Sequence, residues 1–419
     1  MLSRQVATAG ARVGAARGFS VLTAAEEFPG LPSTSPGEKK GSVTSVTTLP
    51  SGLTVVTENA SLTSTVSLTF PNAGSSSEAS SEAGAAIASR YLSFRSGSGL
   101  SSALIVRNIE DVGATPFSSA GRRGATVGFT AAKENAAFVA PLLATQCSFE
   151  KWDVKEAQSL AAAEVVEATS NAQVSLSDQI YAAAFGAQSS MGRSYYTAGA
   201  SRAAIISFYE RNYILNGAVL AATGIDDHEA FLKMVEEEFP STAGEAAPSK
   251  AAYLGGEARV SAPSTGYAHV ALAFEGPTSA PLMNIMKHCL GGSAFAAPGI
   301  IGVYGGSEPS GASSTVDALS TAVGSAPSAD IVAEAKAAAK TEALTALDSG
   351  SKSLADAMTA SVLDSCGFSA KALAESYDSI TADDVVKAHA AMLKSKVSLA
   401  AVGDISNVPY QATIASRFG

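Results

Sequence analysis

Three stretches of this 419-residue chain recur about 200 residues apart, and a duplication of that period constrains the fold before any single element is assigned. Val66-Ser67-Leu68-Thr69-Phe70 matches Val270-Ala271-Leu272-Ala273-Phe274, each reading as the second arm of a hairpin. The helical run opening Asp153-Val154-Lys155-Glu156-Ala157 matches Asp330-Ile331-Val332-Ala333-Glu334-Ala335, and Leu220-Ala221-Ala222-Thr223-Gly224 matches Leu399-Ala400-Ala401-Val402-Gly403. Strands that come in pairs between helical stretches predict an α+β chain of two homologous halves, each a mainly antiparallel sheet with helices layered on one face. The expected boundaries are an N-terminal domain over residues 42–239, a linker over 240–252 rich in Ala, Pro and Ser, and a C-terminal domain over 253–419.

The halves are unequal. Phe70 to Asp153 is 83 residues, whereas Phe274 to Asp330 is 56. The longer interval holds a helix (78–94), a short helix (101–112), a hairpin (115–119 with 125–130) and another helix (133–146). In the shorter one only a helix (280–290), a Gly/Ala/Pro stretch, a single strand (300–304) and a helix (313–323) are legible. A short helix and a strand are therefore expected to be missing from a narrower second sheet. Its edge would be either self-sufficient or covered by a neighbouring chain.

With 46% apolar residues the chain can bury two ordinary cores, and its apolar runs, such as Val397 to Val402, are strand-length and far short of the roughly 20 residues that cross a bilayer. A net charge of −10 without a basic cluster argues against nucleic acid and anionic lipid surfaces as partners. Cys147, Cys289 and Cys366 lack C-x-x-C spacing and read as small buried hydrophobes in a reducing compartment. Residues 1–25 contain no Asp or Glu; Arg4, Arg12 and Arg17 flank an apolar stripe of Leu2, Val6, Ala9 and Val13. That composition predicts a mitochondrial transit peptide over residues 1–19, ending at Arg17-Gly18-Phe19, followed by an extension over 20–41.

Glu82-Ala83-Gly84-Ala85-Ala86-Ile87-Ala88-Ser89-Arg90-Tyr91 follows a Gly-Leu strand (Gly52-Leu53) and a strand ending Phe70-Pro71-Asn72-Ala73-Gly74-Ser75. This order resembles the pitrilysin-type metallopeptidase family, in which a helix opening with Gly carries an inverted H-x-x-E-H zinc site. With Gly84 on the family's glycine, the two His and the Glu fall on Ile87, Tyr91 and Arg90, and the last ligand falls near Glu164 or Glu167. Ile offers no donor atom and Arg brings a fixed cation, so no metal, cofactor or catalytic residue is expected. Lys151-Trp152-Asp153-Val154-Lys155-Glu156 and Tyr253-Leu254-Gly255-Gly256-Glu257 extend the resemblance toward the non-catalytic branch that unites processing-peptidase alpha subunits and respiratory core proteins. The resemblance implies a matrix-side, hetero-oligomeric subunit of mitochondrial complex III. Its implied partners are core protein 1 or a processing-peptidase beta-like subunit, with cytochrome b and other complex III subunits beyond them. A presequence-recognising alpha subunit is the alternative.

Other clusters have plainer readings. Asp226 with Glu229 suggests a capping box before the helix from Ala230, rather than a ligand set with Asp227 and His228. Gly291-Gly292-Ser293-Ala294-Phe295-Ala296-Ala297-Pro298-Gly299 lacks the Lys and preceding strand of a phosphate loop, and resembles a worn form of the presequence-handling glycine-rich loop of the alpha subunits. Glu236-Glu237-Glu238 is expected to be a solvated helix end, and Arg122-Arg123 a hairpin tip serving solubility or contacting an acidic neighbour. His228, His269, His288 and His389 never stand four apart, and no G-x-S-x-G elbow occurs.

Overall fold

The repeated strand segments form the centres of two sheets with the same wiring in this computed structural model, which describes residues 43–239, 251–363 and 369–418. The first sheet takes β1 (Thr44–Thr48), β2 (Thr54–Glu58), β3 (Thr63–Phe70), β4 (Thr115–Ala120), β5 (Ala125–Ala132) and β6 (Val219–Ala222) in the order β1-β2-β6-β3-β5-β4. The second takes β7 (Glu257–Ser261), β8 (Ala268–Glu275), β9 (Ala294–Ala297), β10 (Ile300–Ser307) and β11 (Ser398–Gly403) in the order β7-β11-β8-β10-β9. Val66 pairs with Phe129 and Ala222, and its repeat partner Val270 pairs with Gly305 and Ala401. Each sheet has one parallel pair, β2 with β6 and β7 with β11, among antiparallel neighbours.

The helices of the first half are α1 (Ala85–Arg90), α2 (Ser102–Asp111), α3 (Ala136–Val139), α4 (Val154–Ser170), α5 (Ala172–Phe185), α6 (Arg202–Asn212) and α7 (His228–Glu238). Those of the second are α8 (Ala280–Cys289), α9 (Ala312–Gly324), α10 (Ala329–Asp348), α11 (Ser351–Leu363), α12 (Ala370–Asp378), α13 (Ala382–Lys394) and α14 (Gln411–Ala415). Strand alternation sends Val66, Leu68 and Phe70 into a core with Ile87, Ile205 and Phe208, and Leu272 and Phe274 into a core with Ile285, Val316 and Met392.

The opposite faces are not bare, as a one-face layering would leave them. Helix α5 of the first half packs Leu176, Ile180 and Ala184 on Ala271, Ala273 and Ala400 of the second sheet, and α11 returns Ala355 and Met358 to Val56, Val219 and Ala221 of the first. Alanines on the receiving strands let the visiting helix approach closely. Each half thus completes the other.

Four local expectations change. The helix expected over 78–94 shrinks to α1, because Gly84 sits at φ +87° and starts the helix instead of continuing it. The helix expected over 133–146 breaks into short turns around α3, with Pro141 at the start of the last. The glycine-rich stretch contains a strand: β9 and β10 form a hairpin whose two turn residues are Pro298 and Gly299, the latter at φ +81°. Among the described residues, the strand absent from the second sheet is therefore the counterpart of β1, at the other edge. That edge, β7, is tied by the chain itself, since Arg259 donates to the carbonyls of Val408 and Pro409, and Glu257 accepts from the Gln411 amide. The expected transit peptide and extension, residues 240–250 of the linker, and Cys366 lie outside the described residues.

Candidate functional site

Helix α1 is set in place by carboxylates before it offers any surface. Glu78, 6% exposed, accepts from the Ala86 amide at 2.8 Å and the Gly84 amide at 3.2 Å, filling the start of the helix where backbone N–H groups have no partner. Burial pushes the Glu78 carboxyl up to about 7 against the lowering effect of those amides. A Cβ on Gly84 would come within 2.4 Å of the Thr197 carbonyl, so both the positive φ and the space demand glycine.

One turn on, the three positions of the ligand motif diverge. Ile87 is wholly buried and belongs to the core. Arg90 and Tyr91 reach across to α4, where Arg90 Nη2 donates to Glu164 Oε2 at 2.6 Å and the Tyr91 hydroxyl donates to the same oxygen at 2.9 Å. The guanidinium lies 4.7 Å from the Tyr91 ring centroid. Burial works against the Arg90 charge, but Tyr195, Glu164 and Tyr91 outweigh it, and its pKa rises. Burial and the bond to Glu164 push the Tyr91 phenol up as well. Of the two carboxylates named from the sequence, Glu164 is in the cluster, whereas Glu167 is exposed.

A catalytic zinc needs three protein donors and an open position. Here one position is aliphatic, one is a guanidinium with no lone pair to give, and the one carboxylate is engaged by two donors. The residues do not fit the metal; a fixed cation stands where a bound one would. Among the described residues no group of three or more His, Cys, Asp or Glu is placed to hold a metal ion.

The remaining candidates have structural partners. His228 bridges Thr47 of β1 and Thr57 of β2 at 2.9 and 2.8 Å, His269 meets the Tyr304 hydroxyl, His288 meets Glu342, and His389 is buried against the Val323 carbonyl. The cap of α7 is Asp227, which accepts from the Ala230 amide, and not Asp226, which pairs with Lys133. Glu236, Glu237 and Glu238 are exposed at the end of that helix. Arg122 contacts an acidic neighbour, Asp178, donates to the Arg193 carbonyl and covers the Tyr181 ring, while Arg123 faces solvent. Cys147 and Cys289 are free thiols, and burial pushes Cys147 up to about 12. The sequence reading missed Tyr195, buried beside Arg90 with no hydrogen-bond partner for its hydroxyl among the described residues. Adjacent tyrosines at 195 and 196 were the available signal.

Residues 54–197, which include α1 and the Arg90–Glu164 cluster, match the family model Insulinase (Peptidase family M16). The chain is 31% identical over 274 residues to the mitochondrial-processing peptidase subunit alpha of Solanum tuberosum, covering 61% of this chain and 53% of that protein, so it spans about half the length of that relative. It is 24% identical over 427 residues to the probable mitochondrial-processing peptidase subunit alpha-2, chloroplastic/mitochondrial, of Arabidopsis thaliana, covering 89% and 85% of the two chains. Among solved structures, a chain of Complex III2 from Candida albicans, Inz-5 bound, superposes with a TM-score of 0.74 at 18% identity over 89% of this chain and 99% of that one. The fold shared with that chain therefore extends through both sheets. Among the described residues no helix is long and apolar enough to cross a membrane.

Proposed function

We propose that this chain is a non-catalytic core subunit of mitochondrial complex III (ubiquinol-cytochrome c reductase), of the core protein 2 type. It sits peripherally on the matrix side of the inner membrane and supports assembly. In this reading residues 1–19 are removed on import, and residues 42–239 and 253–419 are two peptidase-like domains, the first without its zinc site. The observation that carries the reading is Arg90, whose guanidinium occupies Glu164 where an active relative would need a metal. A body without that chemistry contributes through surface and shape, and the fold shared with a complex III chain supports the same setting. Its partners are core protein 1 or a processing-peptidase beta-like subunit, cytochrome b and other complex III subunits; permanent interfaces of this kind bury about 2,000–5,000 Å².

Native electrophoresis of mitochondrial membranes tests it. The chain is expected to co-migrate with the cytochrome b and c1 haem spectra, and migration apart from both haems contradicts the proposal. The likeness to processing-peptidase alpha subunits favours a second reading, presequence recognition for a zinc-bearing partner. Presequence cleavage by such a partner that depends on this chain would establish that role.

A further inference from the structure

The edge of the second sheet at β7 is open along its backbone. There the Gly256 carbonyl accepts from the Leu399 amide and the Ala262 amide donates to the Gly403 carbonyl, each at 2.8 Å, so alternate residues of this stretch serve β11. The N–H and C=O groups of Glu257, Arg259 and Ser261 therefore point away from the sheet, and among the described residues β7 has no second neighbour. The ties from Arg259 to Val408 and Pro409 and from Glu257 to Gln411 use side chains, not these backbone groups. Lys and Pro, which blunt exposed edges, are absent from β7, whereas the edge strand β4 carries Pro116.

The first half shows what such an edge holds. Leu220 and Leu399 are repeat partners; Leu220 pairs with Val55 and Leu399 with Glu257, so β2 and β7 correspond residue by residue. On β2 the outer edge carries the whole of β1, antiparallel and without a bulge, from Thr44 opposite Glu58 to Thr48 opposite Thr54. The same register on β7 sets one residue of an added strand opposite Ala258, as Val46 stands opposite Val56. The residues just before β7 do not supply that strand. Residues 49–53 turn β1 into β2, closed by the Leu49 amide on the Leu53 carbonyl and the Gly52 amide on the Leu49 carbonyl. Their counterparts, residues 251–255, are held elsewhere, with the Leu254 and Gly255 amides on the Ala184 carbonyl of α5 and the Tyr253 hydroxyl on Ser398.

We propose that the outer edge of β7 receives an extended strand of a partner polypeptide, antiparallel to β7, in the place that β1 takes on β2. Glu257 and Arg259 pair with each other, so nothing at the edge requires a charged occupant. An uncharged, β-branched stretch like β1 fits, with its apolar residue opposite Ala258 on the face that α5 covers. The assignment stands apart from the scaffold reading, because the isolated chain offers this edge whether or not it assembles in complex III.

The test uses the full chain and a fluorescent peptide with the sequence of residues 43–48, Val-Thr-Ser-Val-Thr-Thr, beside a twin N-methylated at every amide. Fluorescence anisotropy should show the peptide binding and the twin binding about tenfold more weakly. Amide hydrogen exchange over residues 257–261 should slow when the peptide is added. Ser261→Pro takes away an outward N–H and no bond to β11, so it should weaken the peptide about tenfold and leave thermal unfolding unchanged. The twin needs no substitution, so that comparison stands even where the proline lowers stability. No binding at about 1 mM peptide, equal binding of the twin, indifference to Ser261→Pro, or slowing at β1, β4 or β9 in place of β7 overturns the proposal. So does exchange over 257–261 that is already slow without peptide, whether this chain or a second copy covers the edge.

Discussion

The two halves place the same ion pair at different depths. Buried Val154, Ala157 and Ala161 on α4 align with Val332, Ala335 and Ala339 on α10, and ten residues after the first of each set come Glu164 and Glu342 (164 minus 154, 342 minus 332). Glu164 meets Arg90 and Tyr91 at the end of α1; Glu342 meets Lys287 and His288 at the end of α8. In both, adjacent donors on the last turn of the shorter helix converge on one carboxylate of the long helix, where positive charge also suits the helix dipole. The Arg90 and Glu164 side chains are each 22% exposed, whereas Glu342 is 54% exposed. The duplicated fold thus provides a tie between these helices whatever chemistry the first half once supported. Depth decides how much the tie is worth, and the start of α1 also has a buried acid, Glu78, accepting its amides, whereas Ser279 at the start of α8 makes no side-chain cap.

The exchange of α5 and α11 makes the halves mutually dependent, which gives the largest expected effect. Met358→Ala removes a side chain that is 1% exposed and supports the first sheet from the second half of the chain, so it should cost about 3 kcal/mol. Urea unfolding followed by fluorescence and circular dichroism should still show one transition; two separate transitions would break the picture of interlocked halves. Glu78 comes next. Its folded pKa of about 7 lies above the unfolded value of 4.5, so the native state holds the proton longer. Stability is then fullest below about pH 4.5 and falls as pH rises through about 7, by up to about 3 kcal/mol. Glu78→Gln should flatten that slope in unfolding curves taken across the range.

Whether depth sets the value of the two ties can be measured directly. Glu164→Ala leaves a half-buried guanidinium and a phenol without their acceptor and should cost about 2 kcal/mol by chemical unfolding. The smallest effect belongs to Glu342→Ala, below about 1 kcal/mol and weaker still in high salt. Lys287 and then His288 hold the Glu342 carboxyl below its ordinary range, so this contribution exists above the unfolded pKa of 4.5 and is lost as pH falls through the folded value. Equal losses at 164 and 342 would remove depth as the explanation.

Legibility in the sequence followed the physics of each element. Central strands announced themselves twice, because β3 and β8 must each present an apolar residue at every second position to a core. Positions 87, 90 and 91 could be singled out because the resemblance sets its glycine on Gly84, and the φ of +87° there agrees with a required glycine. Three things were hidden. Strand β9 is made of alanines and one phenylalanine beside glycines, and its pairing depends on β10 rather than on propensity. The exchanged faces, Ala271, Ala273 and Ala221, carry too little bulk to signal that a helix covers them. Glu164 and Glu167 could be told apart only by the distance from α1 to α4. The tie at Glu342 needed the buried positions of α4 and α10, because the Asp153–Asp330 match in the sequence places Thr341 opposite Glu164.

Metal analysis of the purified full chain, dialysed against zinc and then against buffer, tests the central claim most directly, with Glu164→Gln run alongside. The Arg90–Glu164 tie predicts no retained zinc in either protein. One zinc per chain that is held in the parent and lost in Glu164→Gln would contradict it, since the carboxylate would then serve a metal and not a guanidinium.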